Sequence, residues 1–104
     1  DMAVMRDESF GPVIGVQRVR DDAEAAELMN DTEYGLTAGV YSRDEARARR
    51  LLERVDAGSA YWNCCDRVSP RLPWSGRGHS GIGTTLSTIG LSAFVRPKAW
   101  HLRG

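Results

Sequence analysis

At 104 residues the chain has room for one domain with a modest core and none for a second. Its 14 Lys and Arg balance its 14 Asp and Glu, and a formal charge of zero gives no bulk attraction to nucleic acid or to a membrane surface. No apolar run approaches the length that spans a bilayer, and no basic-then-apolar signal peptide opens the chain.

Asp1-Met2-Ala3-Val4-Met5 is apolar enough for a strand. Asp7 to Val13 then sets an acid, an aromatic, a glycine and a proline in a row. Gly11 precedes a proline and is pushed towards extended backbone, and Pro12 fixes the backbone at the entry to the next segment. The expected result is a stiff corner that displays Glu8 and Phe10 at the mouth of a strand from Val13 to Val19. That strand is β-branched and nearly continuous in apolar character, as for one covered on both faces. Asp21 with Glu24 forms a capping-box pattern before a helix whose Ala25, Leu28 and Met29 make a short apolar stripe. Asn30-Asp31-Thr32 ends it and Gly35 marks a turn.

Leu36 to Tyr41 is a second predicted strand. Ser42 and Glu45 read as a second capping box, opening a helix with Ala48, Leu51, Leu52 and Val55 on one face and Gly58 past its end. Ser59 to Cys64 is a third strand. The alternation of strand and helix with short connections predicts an α/β fold, strand-helix-strand-helix-strand, with a mostly parallel sheet. Asp66 to Gly83 is a long loop rich in Gly, Pro and Ser. Thr84 to Val95 is expected to be a helix interrupted by Gly90, and Ala99-Trp100-His101-Leu102 a short terminal strand.

Four segments, in order, carry a family likeness. Glu8-Ser9-Phe10-Gly11-Pro12-Val13 resembles the Glu-x-Phe-Gly-Pro-Val motif of the NAD(P)-dependent aldehyde dehydrogenases. Asn30 to Ala38 is similar to their Asn-x-Thr-x-Tyr-Gly-Leu segment, and Leu72-Pro73-Trp74-Ser75-Gly76 with Ser80-Gly81 to their Pro-Phe-Gly-Gly and Ser-Gly loop. Gly90-Leu91-Ser92-Ala93-Phe94 with Lys98 resembles their C-terminal ending. The resemblance implies that residues 1–96 are the C-terminal part of an aldehyde dehydrogenase catalytic domain. Residues 97–104 would be a terminal strand through which copies of the enzyme associate into a homo-oligomer. The family often has Lys where Gly78 stands and Gly-Arg-Glu where Gly83-Thr84-Thr85 stands, so the substrate class does not carry over.

The resemblance also implies site residues. Glu8 matches the glutamate that holds the hydroxyls of the nicotinamide-side ribose of NAD or NADP, and Phe10 the ring that packs beside it. A carboxylate suits two adjacent hydroxyls because each oxygen accepts. Asn63 matches an asparagine close to the catalytic pocket, and an amide at a strand end equally ties loop backbone. Trp74 occupies the place of an aromatic that lines the aldehyde tunnel, and core packing explains a large ring as well.

Other features point away from chemistry. Gly76-Arg77-Gly78-His79-Ser80-Gly81 satisfies Gly-x-Gly-x-x-Gly, but prolines and a loop precede it and no acid follows, so a dinucleotide fingerprint is rejected. Cys64 and Cys65 are adjacent and poorly placed to bridge each other, which suits a reduced, cytoplasmic setting. Neither is read as a nucleophile, because the family's Gly-Gln-x-Cys and Glu-Leu-Gly-Gly motifs are both missing. Arg43, Arg47, Arg50 and Arg54 form a basic stripe. Acids interleave with it, and pairs such as Glu45 with Arg49 favour a solvated face over nucleic-acid binding. His79 and His101 have no partners at metal-ligand spacing, so no metal site is expected.

In the parent enzyme a cysteine would attack an aldehyde, hydride would pass to the nicotinamide, and water would release the acid. This chain would contribute ribose and tunnel contacts, hold no catalytic residue, and not turn over aldehyde by itself. The alternative is a stand-alone, non-catalytic interaction or oligomerisation module of the same fold.

Overall fold

The computed structural model describes residues 2–65 and 67–104. Helix α1, Asp22–Asn30, starts where an acid can cap it: the Asp21 carboxylate accepts from the Glu24 amide at 2.9 Å. The reciprocal half of the box is displaced by one residue. Glu24 accepts from the amide and Nε of Arg20, at 2.6 and 3.0 Å, instead of from the Asp21 amide. Helix α2, Glu45–Leu52, is capped by Asp44, which accepts from the Arg47 amide at 2.9 Å. The predicted cap, Ser42, instead accepts from the Asp44 amide at 3.0 Å and shapes the approach. A carboxylate at the cap also meets the positive end of the helix dipole, which a hydroxyl does not.

Strands β1, Thr37–Val40, and β2, Ser59–Trp62, pair in parallel, Thr37 opposite Ser59 through Val40 opposite Trp62. α2 is the crossover between them and packs on both, and α1 packs on α2. The predicted parallel βαβ unit is therefore present. Its burial is slight. Among the described residues only Ala26 of α1, 2% exposed, and Ala48 of α2, fully covered, are buried apolar side chains. Ala48 lies on the predicted face, whereas Leu28 of the predicted α1 stripe is exposed. The two helices are clamped by a bidentate pair, Arg47 Nε and Nη2 each 2.7 Å from an Asp22 oxygen.

Several expectations are corrected. Residues 13–19 form no strand, because no neighbouring strand among the described residues offers them ladder hydrogen bonds. Ala3–Met5 is a 3-10 turn, not a strand, and Asp1 lies outside the described residues. Thr84–Thr85 is strand β4, antiparallel to β3, Trp74–Ser75. Leu86 and Ser87 then take positive φ, 60° and 54°, which breaks any helix running on from Thr84. Helix α3 is confined to Ser87–Leu91, with Gly90 buried inside it, and a 3-10 turn, Ser92–Phe94, follows. Residues 99–102 pair with no strand among the described residues, and Lys98 Nζ lies 4.5 Å from the centre of the Trp100 ring. Asp66, the first residue of the expected long loop, lies outside the described residues.

The remainder of that loop is stitched to the βαβ unit by backbone. The carbonyl of buried Gly35 accepts from the amides of both Gly58 and Arg77, at 3.0 Å each. Its own amide donates to Ser80 Oγ at 3.0 Å. Tyr34 bridges to Gly78, and the His79 amide donates to the Glu33 carbonyl at 2.8 Å. Two glycines are required by this proximity. A Cβ on Gly58 would strike the Ser75 carbonyl, and Gly78 holds φ of +51° with its α-carbon against the Glu33 carbonyl. Asn30 adds a tie to the far end of α2: its Nδ2 donates to the Arg54 carbonyl and its Oδ1 accepts from the Asp56 amide, both at 2.8 Å. The molecule is long for its size. Its radius of gyration is 18.2 Å, against about 13 Å for a compact domain of this length.

Gly58→Ala is expected to lower stability by about 1–3 kcal/mol in urea unfolding, because backbone must move to admit the methyl group. Gly11→Ala, at a position with nothing within 4 Å, serves as the control and should change stability by less than about 0.5 kcal/mol. Equal effects from the two would contradict the close approach.

The hydrogen bond from Arg47 holds the Asp22 carboxyl below its ordinary 3.8; partial desolvation opposes this, and the charges of Arg47, Arg50 and Arg54 reinforce it. A depressed carboxylate stabilises the fold above its unfolded-state value and loses that contribution as pH falls through the folded-state value. Stability of the unsubstituted chain relative to Asp22→Asn should therefore be constant above the carboxylate range and decline only as pH drops below about 3.8. A difference in urea midpoints that stays flat through that window would show the pair to be inert.

Candidate functional site

A concavity of about 700 Å³ opens between the 3-10 turn, the stretch running into β1, the end of the α2–β2 connection and the tip of the Gly-rich loop. Glu8, Tyr34, Thr37, Asp56, His79 and Ser80 are among its walls. The chain builds it from backbone stitching. The amides at Gly58 and Arg77 converge on the Gly35 carbonyl, so the segments carrying Tyr34, Asp56 and His79 meet along one side. Arg77 secures the junction, donating from Nε to Asp56 at 3.2 Å and from Nη1 to Ser75 Oγ at 3.1 Å and the Gly76 carbonyl at 3.0 Å. His79 Nδ1 lies 3.1 Å from Glu33, and its ring meets Tyr34 edge-on with centroids 6.0 Å apart.

Glu8 is exposed on this wall and makes no ion pair among the described residues. Its two carboxylate oxygens are thus available to paired hydroxyls of a ribose, and the donor–acceptor chemistry fits that group. Phe10, two residues on, is 94% exposed and outside the cleft. Asn63 stands at the carboxyl end of β2 with φ of 52°, and its side chain is committed to Ser42, accepting from that residue's amide and donating to its carbonyl, both at 2.9 Å. Trp62 Nε1 donates to the same carbonyl at 3.0 Å. Trp74 is half-buried in β3 opposite Thr85. The structure therefore brings Glu8 to the cleft and leaves Phe10, Asn63 and Trp74 on other surfaces.

The Gly76–Gly81 loop is occupied by protein. Its amides at Arg77, His79, Ser80 and Gly81 all donate to carbonyls of this chain, so they offer no cradle to a phosphate. Of the basic stripe, Arg47 is engaged on Asp22, and beside it Arg49 lies 2.8 Å from Glu45. No cluster of three or more His, Cys, Asp or Glu suited to a metal exists among the described residues. Sequence reasoning missed Arg77, Asp56 and the Glu33–His79 pair. Their contacts join positions 21 and 46 residues apart, and no local pattern marks them.

The Aldehyde dehydrogenase family matches residues 1–100 of the chain. Betaine aldehyde dehydrogenase 1 of Oryza sativa subsp. japonica is 39% identical over 97 residues, which cover 93% of this chain and 19% of that protein. Succinate-semialdehyde dehydrogenase (NADP(+)) of Deinococcus radiodurans is 42% identical over 98 residues, 94% of this chain and 20% of that protein. Among solved structures, betaine aldehyde dehydrogenase from Staphylococcus aureus in complex with NAD+ superposes with a TM-score of 0.82 at 35% identity. The match covers 86% of this chain and 18% of that one. The chain thus spans about a fifth of the length of these relatives. In sequence along nearly its whole length, and in the α/β arrangement that the structure shows, this chain belongs to the aldehyde dehydrogenase family.

Proposed function

We propose that the chain serves an enzyme that oxidises an aldehyde to a carboxylic acid with NAD or NADP, contributing cofactor and substrate contacts and not the nucleophile. The observation that carries this reading is Glu8 on the wall of the 700 Å³ cleft, with no ion pair among the described residues to occupy its carboxylate. A nicotinamide cofactor, when bound, supplies the hydride acceptor. Glu8 orients it by accepting from the two ribose hydroxyls, and its charge strengthens both hydrogen bonds. Phe10, two residues on and exposed, offers a ring face for the nicotinamide side of the cofactor in this reading. Trp74 contributes an apolar wall to the aldehyde path. Asn63 acts on that path through the loop it fixes, since its amide is spent on Ser42. Support for the cofactor class comes from the NAD+ complex and the NADP(+)-dependent relative.

A second observation favours association between copies. Val95, Trp100 and Leu102 are exposed along an extended C-terminal stretch that no strand among the described residues pairs with. Such a stretch has free backbone donors and acceptors for a neighbouring sheet edge. Residues 97–104 are therefore the oligomerisation segment in this reading. The two free, exposed thiols fit a reducing compartment, the cytoplasm. No helix among the described residues is long and apolar enough to cross a membrane.

In the enzyme that carries this segment, Glu8→Gln should raise the KM for the nicotinamide cofactor about tenfold or more, the worth of a charged hydrogen bond of about 1.5–3 kcal/mol. An unchanged KM would remove the ribose contact. Light scattering of the 104-residue chain at micromolar concentration should show dimers or larger species, reduced when residues 97–104 are deleted. A monodisperse monomer would end the oligomerisation reading.

A further inference from the structure

Cys64 and Cys65 are the two cysteines of the chain, both thiols are free and exposed, and the function proposed above uses neither. They follow β2 at the carboxyl end of the parallel pair, the side on which open α/β sheets collect ligands. The stretch that carries them is pinned on both flanks. Before it, the Asn63 side chain makes its two hydrogen bonds to Ser42. Beyond it, the Tyr61 hydroxyl donates to the Arg67 carbonyl at 3.3 Å. Since β2 ends at Trp62, no pleat forces the two side chains to opposite faces.

Covalent geometry decides what such a pair does. Neighbouring α-carbons stand about 3.8 Å apart, whereas a disulfide prefers about 4.4–6.8 Å, so a direct sulfur–sulfur bond between these two is strained. One soft atom inserted between the sulfurs lengthens the bridge and relieves that strain. Soft thiolate ligands in turn select soft centres.

We infer that Cys64 and Cys65 together form a dithiol site for a trivalent arsenical. With an arsenoxide, both S–H protons pass to the oxygen, which departs as water while two As–S bonds form. Arsenic stays trivalent throughout, and no oxidant or reductant is consumed.

The test treats the native protein with equimolar phenylarsine oxide and maps the product by mass spectrometry. The tryptic peptide 55–67 should carry one phenylarsenic group that resists excess 2-mercaptoethanol and is released by a 1,2-dithiol such as dimercaptopropanol. In Cys64→Ser and in Cys65→Ser, 2-mercaptoethanol should strip the adduct. Prior alkylation of the unsubstituted protein with iodoacetamide should block it, which needs no variant to fold. Removal by the monothiol from the unsubstituted protein, retention in either single variant, or no adduct at all would each overturn the assignment.

Discussion

One buried peptide group holds the molecule together. The Gly35 carbonyl takes two amide hydrogens, from Gly58 and Arg77, and the Gly35 amide gives its own to Ser80. These three bonds join the turn before β1, the turn before β2 and the Gly-rich loop. They decide where Tyr34, Asp56 and His79 stand. Such a knot is possible only where backbones touch, which is why glycine occupies so many of its positions. It also accounts for the polar share of the cleft wall, which is mixed with apolar Met5, Leu36 and Val55. Where carbonyls and amides meet this closely, side chains that complete the network, Ser80 and Arg77, are favoured over apolar ones.

The same economy governs the rest of the fold. α1 and α2 each bury one alanine and are joined by a guanidinium–carboxylate fork, and the segment after α2 is held by the Asn30 amide. Each of these is a directional, mostly exposed contact. Exposed ion pairs contribute little, so their value here is in fixing geometry more than in adding stability. Directionality suits a segment whose task, as proposed, is to hold a carboxylate at a set place beside a cofactor.

Features written in local sequence were legible, and features that need a distant partner were not. Asp21 announces α1, the apolar spacing around Ala48 announces α2, and the order of elements predicts the parallel pairing of β1 with β2. The Val13–Val19 stretch has every local mark of a strand, yet a strand exists only when another chain segment accepts its hydrogen bonds. Ser42 and Asp44 both stand near the start of α2, and composition alone does not say which one caps; the carboxylate does. Positive φ at Leu86 and Ser87 leaves no trace in residue type, so the short β4 and the late start of α3 were hidden. At the site, the Glu-x-Phe-Gly-Pro stretch drew attention to Glu8, which the structure sets on the cleft wall. Asn63 was legible as an amide with two possible roles, and its bonds to Ser42 describe the structural one.

The scarcity of covered side chains has a thermal consequence. Heat capacity and denaturant sensitivity both scale with the surface that unfolding newly wets. With Ala26 and Ala48 as the buried apolar side chains among the described residues, little greasy surface is left to wet. Melting of this polypeptide should be broad and shallow, its pieces loosening one after another where a tightly filled domain would give way in a single step.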